Sequence, residues 1–145
     1  MYELKVIRER KAGYGRRYSL RSSRDIYETF RDRFVWADRE EFVVLLLDAK
    51  NTLLGFHVVS VGSLTSTIVH PREVFKIAVL GNAASLILLH NHPSGDPTPS
   101  AEDRAITTRL CQVGELLGIK VLDHVVIGDG RYVSFVDDGY FQRST

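Results

Sequence analysis

Cysteine occurs once in these 145 residues, as do methionine and tryptophan. Cys111 alone cannot close an intrachain disulfide, and a thiol among helix residues is by default buried, so the chain fits a reducing, cytoplasmic setting. The same scarcity excludes a zinc deaminase, which needs His-x-Glu and a later Pro-Cys-x-x-Cys. Long apolar runs are missing too. None approaches the roughly 18 residues of a membrane span, so no membrane partner is expected, and Met1-Tyr2-Glu3-Leu4-Lys5 does not read as a signal peptide. Charge of one sign is not in excess: the net charge is only +1, short of the strongly basic balance of a dedicated nucleic-acid binder. Proline is rare, with four residues in all, three of them within 93–99.

What is present suits one soluble domain. Hydrophobic residues make up 44% and charged residues 26%, ordinary for a globular protein, and the length allows roughly two-thirds of the unfolded surface to be buried. The charge is unevenly spread. Residues 1–24 carry eight Lys or Arg (Lys5, Arg8, Arg10, Lys11, Arg16, Arg17, Arg21, Arg24) against Glu3 and Glu9. We therefore divide the chain into a basic N-terminal strand and arm, 1–22, packing on a single domain, 23–145. Such an arm can meet phosphates or an acidic partner, although a solvated strand and loop explains it as well.

Periodicity predicts a mixed α/β chain without internal repeats. Residues 2–10 alternate as a strand. Ser22 or Ser23 caps a helix through about Phe34, with Ile26, Tyr27, Phe30 and Phe34 at helical spacing. Residues 42–47 and 53–61 read as strands joined across Asp48-Ala49-Lys50-Asn51. Pro71 suits a first helical position, and Gly81-Asn82 stops that helix after Leu80. Residues 83–90 (AASLILLH) form a short buried strand. A helix from Ser100 to Leu117 ends at Gly118, and residues 120–127 and 131–136 close with a hairpin.

The chemistry concentrates just after the buried strand. His90 and His92 lie two apart on an extended backbone, so their rings share a face while Asn91 turns away. Pro93-Ser94-Gly95-Asp96-Pro97-Thr98-Pro99 is a loop. Ser100 then stands as a helix N-cap, with Asp103 in the first turn, where a carboxylate can swing back towards the imidazoles. Ser100-Ala101-Glu102-Asp103 also has the form of a capping box, which would use Asp103 for the helix alone. A polar His-Asn-His after Ile87-Leu88-Leu89 is costly to bury without partners, and one metal would satisfy both rings. Two imidazoles and one carboxylate leave a tetrahedral position for water, the arrangement of a catalytic zinc. His57 and His70 read as structural. Asp123-His124 suggests a carboxylate orienting an imidazole near the site, and neither is counted as a ligand.

His90-x-His92-Pro93, six further residues, Ser100, two more and Asp103 resemble the JAMM signature of MPN-domain metalloproteases. Val69-His70-Pro71-Arg72-Glu73-Val74-Phe75, His90-Asn91-His92-Pro93-Ser94-Gly95, Pro99-Ser100 and Asp123-His124 resemble, in that order, its RadC-like bacterial branch, over about residues 23–141. The resemblance implies an MPN/JAMM fold, a cytidine-deaminase-type layered sheet flanked by helices, with one Zn2+ per chain on His90, His92 and Asp103. It implies that Ser100 helps hold the oxyanion. It also implies a glutamate base where the first core strand begins after a helix. Glu41, immediately before the apolar run 42–47, fits that place, with Glu40 as the alternative, because alternation leaves open which face looks at the metal.

Two functions follow as expectations. The first is a zinc-dependent metalloprotease or isopeptidase acting on an unknown protein or peptide. The second, implied by the repair association of the RadC name, is a DNA-associated module with a vestigial or nucleic-acid-directed metal site, reached through the basic arm. A homodimer is compatible with either.

Overall fold

The computed structural model describes residues 1–3, 5, 19–62 and 69–141. Most of the basic arm, including most of the strand expected over 2–10, lies outside the described residues. Within them the elements run α1 (Ser23–Phe34), β1 (Glu41–Leu47), β2 (Leu53–Val61), α2 (Pro71–Leu80), β3 (Ser85–Asn91), α3 (Ala101–Leu117), β4 (Lys120–Ile127) and β5 (Tyr132–Ser134). The strands form one sheet in the order β2-β1-β3-β4-β5. All neighbours are antiparallel except β3 and β4, which α3 joins as a parallel pair. None of the described helices is long and apolar enough to cross a membrane.

Alternation along the central strands separates two cores. Phe42, Val44, Leu46, Leu86 and Leu88 face α2 and α3, where they meet Val74, Phe75, Ala78 and Leu110. Val43, Leu45, Leu47, Ile87 and Leu89 face the other way, onto Ile26, Phe30 and Phe34 of α1. Both faces are covered, which is why β1 and β3 read as unbroken apolar runs rather than alternating ones. Leu20, inside the segment assigned to the arm, is buried in the α1-side core, and Ser19 bridges Thr52.

Local chemistry sets the element ends. Ser22 caps α1 in a reciprocal box: its Oγ accepts from Asp25 N at 3.2 Å, and Asp25 Oδ2 accepts from Ser22 N at 3.1 Å. Between β1 and β2, Asp48 Oδ1 accepts from Lys50 N and Thr52 N, both at 2.9 Å, and closes the hairpin. His70 occupies the N-cap of α2 without a side-chain cap bond, so Pro71 sets the helix start. The last strand is shorter than the expected 131–136. Asp123 is buried on β4, and its Oδ1 accepts from Val136 N at 3.1 Å while its Oδ2 accepts from Ser134 Oγ at 2.6 Å. Phe135 N still donates to His124 O at 2.9 Å, and the Asp123 carboxylate ties the turn that follows back onto β4.

α3 reaches β4 through a close approach. A Cβ at Gly114 would stand 2.4 Å from the Ile119 carbonyl oxygen, a backbone atom that cannot rotate aside. Alanine is normally favoured over glycine inside a helix by about 1 kcal/mol, but overpacking against backbone costs about 1–3 kcal/mol. An approach of 2.4 Å to backbone falls at the upper end of that range, so Gly114→Ala should lower the urea unfolding midpoint, with a net stability loss of about 1–2 kcal/mol; an unchanged or raised midpoint would contradict this packing.

Candidate metal centre

β3 carries its pattern one step further than its core requires. Leu86 and Leu88 face α3, and so does His90, which is fully buried and stacks 6.1 Å from Phe42, its register partner on β1. His92 lies just past the strand. Its N–H donates to Ile127 O at 2.9 Å, keeping the backbone aligned with β4, and its Nδ1 donates to Asp96 O at 2.8 Å. The intervening Asn91 turns to the α1 side, where its Oδ1 accepts from Glu41 N at 2.8 Å and its amide donates to Arg39 O at 3.0 Å. This end of β3, the carboxyl edge of a parallel pair, is where open α/β sheets tend to bind ligands.

The following loop is tied down so that α3 starts beside the two rings. Gly95 N donates to His92 O at 2.9 Å, and Asp129 N donates to Gly95 O at 2.8 Å. Ser100 caps α3: its Oγ accepts from Asp103 N at 3.0 Å, and Asp103 Oδ2 accepts from Ser100 N at 2.8 Å. The cap and the candidate ligand are thus the same carboxylate. Oδ2 also lies 3.1 Å from His92 Nε2, and Oδ1 lies 3.2 Å from His90 Nε2.

The two Nε2 atoms are 3.0 Å apart. His90, His92 and Asp103 therefore form one cluster of possible ligand atoms. Bonds of about 2.0–2.1 Å in a tetrahedron give ligand-to-ligand edges of about 3.3 Å, so separations of 3.0 to 3.2 Å suit one small divalent ion. The electrostatics agree with the spacing. Burial pushes the Asp103 carboxyl upward, but hydrogen bonds from His90 and His92 overrule it and hold the group well below the usual carboxylate range. The hydrogen bond to Asp103 raises the His92 pKa, against burial. A carboxylate kept ionised at 1% exposure calls for a positive partner, which a protonated imidazole or a metal ion among these groups can supply.

The remaining sequence candidates fall differently. Glu41 shares the α1-side face with Val43 and Leu45, and its Oε2 pairs with Arg33 Nε at 3.1 Å. It is not brought to the cluster. Glu40 shares the face of Phe42 and His90. Continuing the Phe42–His90 register sets position 40 across from His92, and the negative charge of Glu40 contributes to raising the His92 pKa. His124 is fully buried, with its Nε2 2.7 Å from His90 Nδ1 and its Nδ1 2.6 Å from Thr107 Oγ1. Burial pushes its pKa well down. Asp123, expected to orient this ring, reaches the backbone N–H of His124, at 2.7 Å, and not its ring, which Thr107 holds instead. Thr107 carried no signal in the sequence beyond its place one turn after Asp103. His57 is exposed.

A family model described as the RadC-like JAB domain matches residues 20–140, and the chain belongs to that family. Among similar curated proteins, the UPF0758 protein of Methanosarcina acetivorans is 54% identical over 82% of this chain and 52% of its own length. Its counterpart in Pelobacter propionicus is 56% identical, over 81% and 52%. That of Caldanaerobacter subterraneus is 49% identical, over 88% and 54%. The chain spans about half the length of these relatives, and their names state no activity.

The ligand loop is held against the β4–β5 turn by another close approach. A Cβ at Gly128 would lie 2.3 Å from Gly95 O and 2.8 Å from Pro97 Cδ. Gly128→Ala should push the loop away, moving the Asp96 carbonyl off His92. We expect a stability loss of about 1–3 kcal/mol together with weaker zinc uptake in a chelator competition. Uptake equal to wild type would show that the loop does not set the His92 position.

Proposed function

We propose that this domain is a zinc-dependent hydrolase, a metallopeptidase or isopeptidase, with the metal held by His90, His92 and Asp103. The observation that carries this reading is the buried convergence of two ring nitrogens and an ionised carboxylate at 3.0 to 3.2 Å. When bound, zinc lowers the pKa of a coordinated water to about 7 and polarises a carbonyl oxygen.

The chain's own groups do the rest. Glu40, rather than Glu41, accepts the proton of the attacking water as its oxygen bonds to the scissile carbonyl carbon. It then delivers that proton to the departing amine as the C–N bond breaks. Supporting Glu40 are its shared face with His90 and its charge acting on His92; Glu41 is engaged with Arg33 on the other face. Ser100 spends an Oγ lone pair on Asp103 N and can offer its hydroxyl proton to the oxygen that gains negative charge. A cavity of about 520 Å³, lined among others by Tyr27, Arg31, Phe34, Asn91 and Gly128, lies on the α1 side of this sheet end and meets the cluster at His92 alone.

Elemental analysis beside hydrolysis of a quenched fluorescent peptide library tests the reading. Wild type should hold about one zinc per chain, and His90→Ala and Asp103→Ala should lose it. Glu40→Gln should keep zinc while hydrolysis falls by about 100-fold or more, and Glu41→Gln should keep both. Stoichiometric zinc in the two ligand variants would sink the site, and an inactive Glu41→Gln beside an active Glu40→Gln would reverse the assignment of the base. A wild type that takes up no zinc but binds DNA with steep salt dependence would replace the hydrolase by the DNA-associated module.

A further inference from the structure

The hydrogen bonds behind His90 form a chain whose proton positions follow from one fixed donor. Thr107 Oγ1 lies 2.6 Å from the Asp103 carbonyl oxygen, which can only accept, so the single hydroxyl proton of Thr107 is spent there. The same Oγ1 lies 2.6 Å from His124 Nδ1 and must accept from it, so His124 carries its proton on Nδ1. His124 is fully buried between the rings of Phe42 and Phe135, with its nitrogens on His90 and Thr107 and neither on a carboxylate, which disfavours the charged ring. A neutral ring protonated on Nδ1 has a bare Nε2. That Nε2 accepts, at 2.7 Å, from His90 Nδ1, so His90 carries a proton on Nδ1 and turns its Nε2 towards Asp103 and His92.

We propose that Thr107 and His124 are positioning residues that fix the tautomer and ring orientation of His90, so that its Nε2 lone pair points into the metal centre. The Asp96 carbonyl does the same for His92 in a single step. In these tautomers of the neutral rings both Nε2 lone pairs face the Asp103 carboxylate, an arrangement that a cation completes. The relay joins both ends of the site: the hydroxyl that begins it is bonded to the backbone of Asp103, so one turn of α3 supplies a candidate ligand and orients another. This inference rests on the metal-binding reading, but its first test does not need the metal.

Long-range ¹⁵N–¹H spectra of the imidazoles in metal-free protein, at mildly alkaline pH, read the tautomers directly. His90 and His124 should both be protonated on Nδ1; a His90 protonated on Nε2 would overturn the relay. Thr107→Val keeps the shape and removes the acceptor. Both rings should then shift towards the Nε2-protonated form and zinc affinity should fall about 10- to 100-fold, and Thr107→Ser should restore both. Zinc affinity unchanged in Thr107→Val, in a background where wild type binds zinc, would also overturn it. A wild type without zinc affinity but with both rings protonated on Nδ1 would remove the metal reading and leave the relay standing.

Discussion

Asp103 is a carboxylate that burial alone would neutralise, and the arrangement around it keeps it charged. It sits at 1% exposure in the first turn of α3, where the helix dipole and the Ser100 N–H favour a negative group. His90 and His92 complete its surroundings from the end of β3. Each neighbouring element can be understood as holding one of these three residues in place: β4 through Ile127 O, the loop through Asp96 O, and α3 through its cap. Helix capping and metal ligation were alternatives for Asp103 when read from the sequence. In the fold they are compatible, because one oxygen serves the cap and both face the imidazoles.

The two-sided burial of β1 and β3 makes that precision affordable. A strand covered on both faces cannot slip by one residue without moving an entire apolar set to the wrong core. The register Phe42–His90 is therefore fixed by Val43, Leu45 and Leu47 on one side and by Val44 and Leu46 on the other. That register also decides which of two adjacent glutamates shares a face with the histidines.

Much of this was legible in the sequence because it is local. The Ser22 and Ser100 caps, Pro71 at the start of α2, Gly118 after α3 and the period-two spacing of His90 and His92 depend on neighbours a few residues away. What was not legible depends on pairing across the fold. Glu40 and Glu41 differ only in which face they occupy, and an apolar run buried on both sides conceals that. Thr107, His124 and His90 are 17 and 34 residues apart along the chain, and only the crossover from β3 through α3 to β4 brings them together. Asp123 was expected to orient the ring beside it. Adjacent strand residues point to opposite faces, so its carboxylate went to Ser134 and Val136 instead.

Anomalous diffraction at the zinc edge from crystals of the zinc-loaded protein would locate the metal itself. A single scatterer is expected, with His90 Nε2, His92 Nε2 and an Asp103 carboxylate oxygen each at about 2.0–2.1 Å. A scatterer held by other residues, or none in the presence of excess zinc, would contradict that expectation.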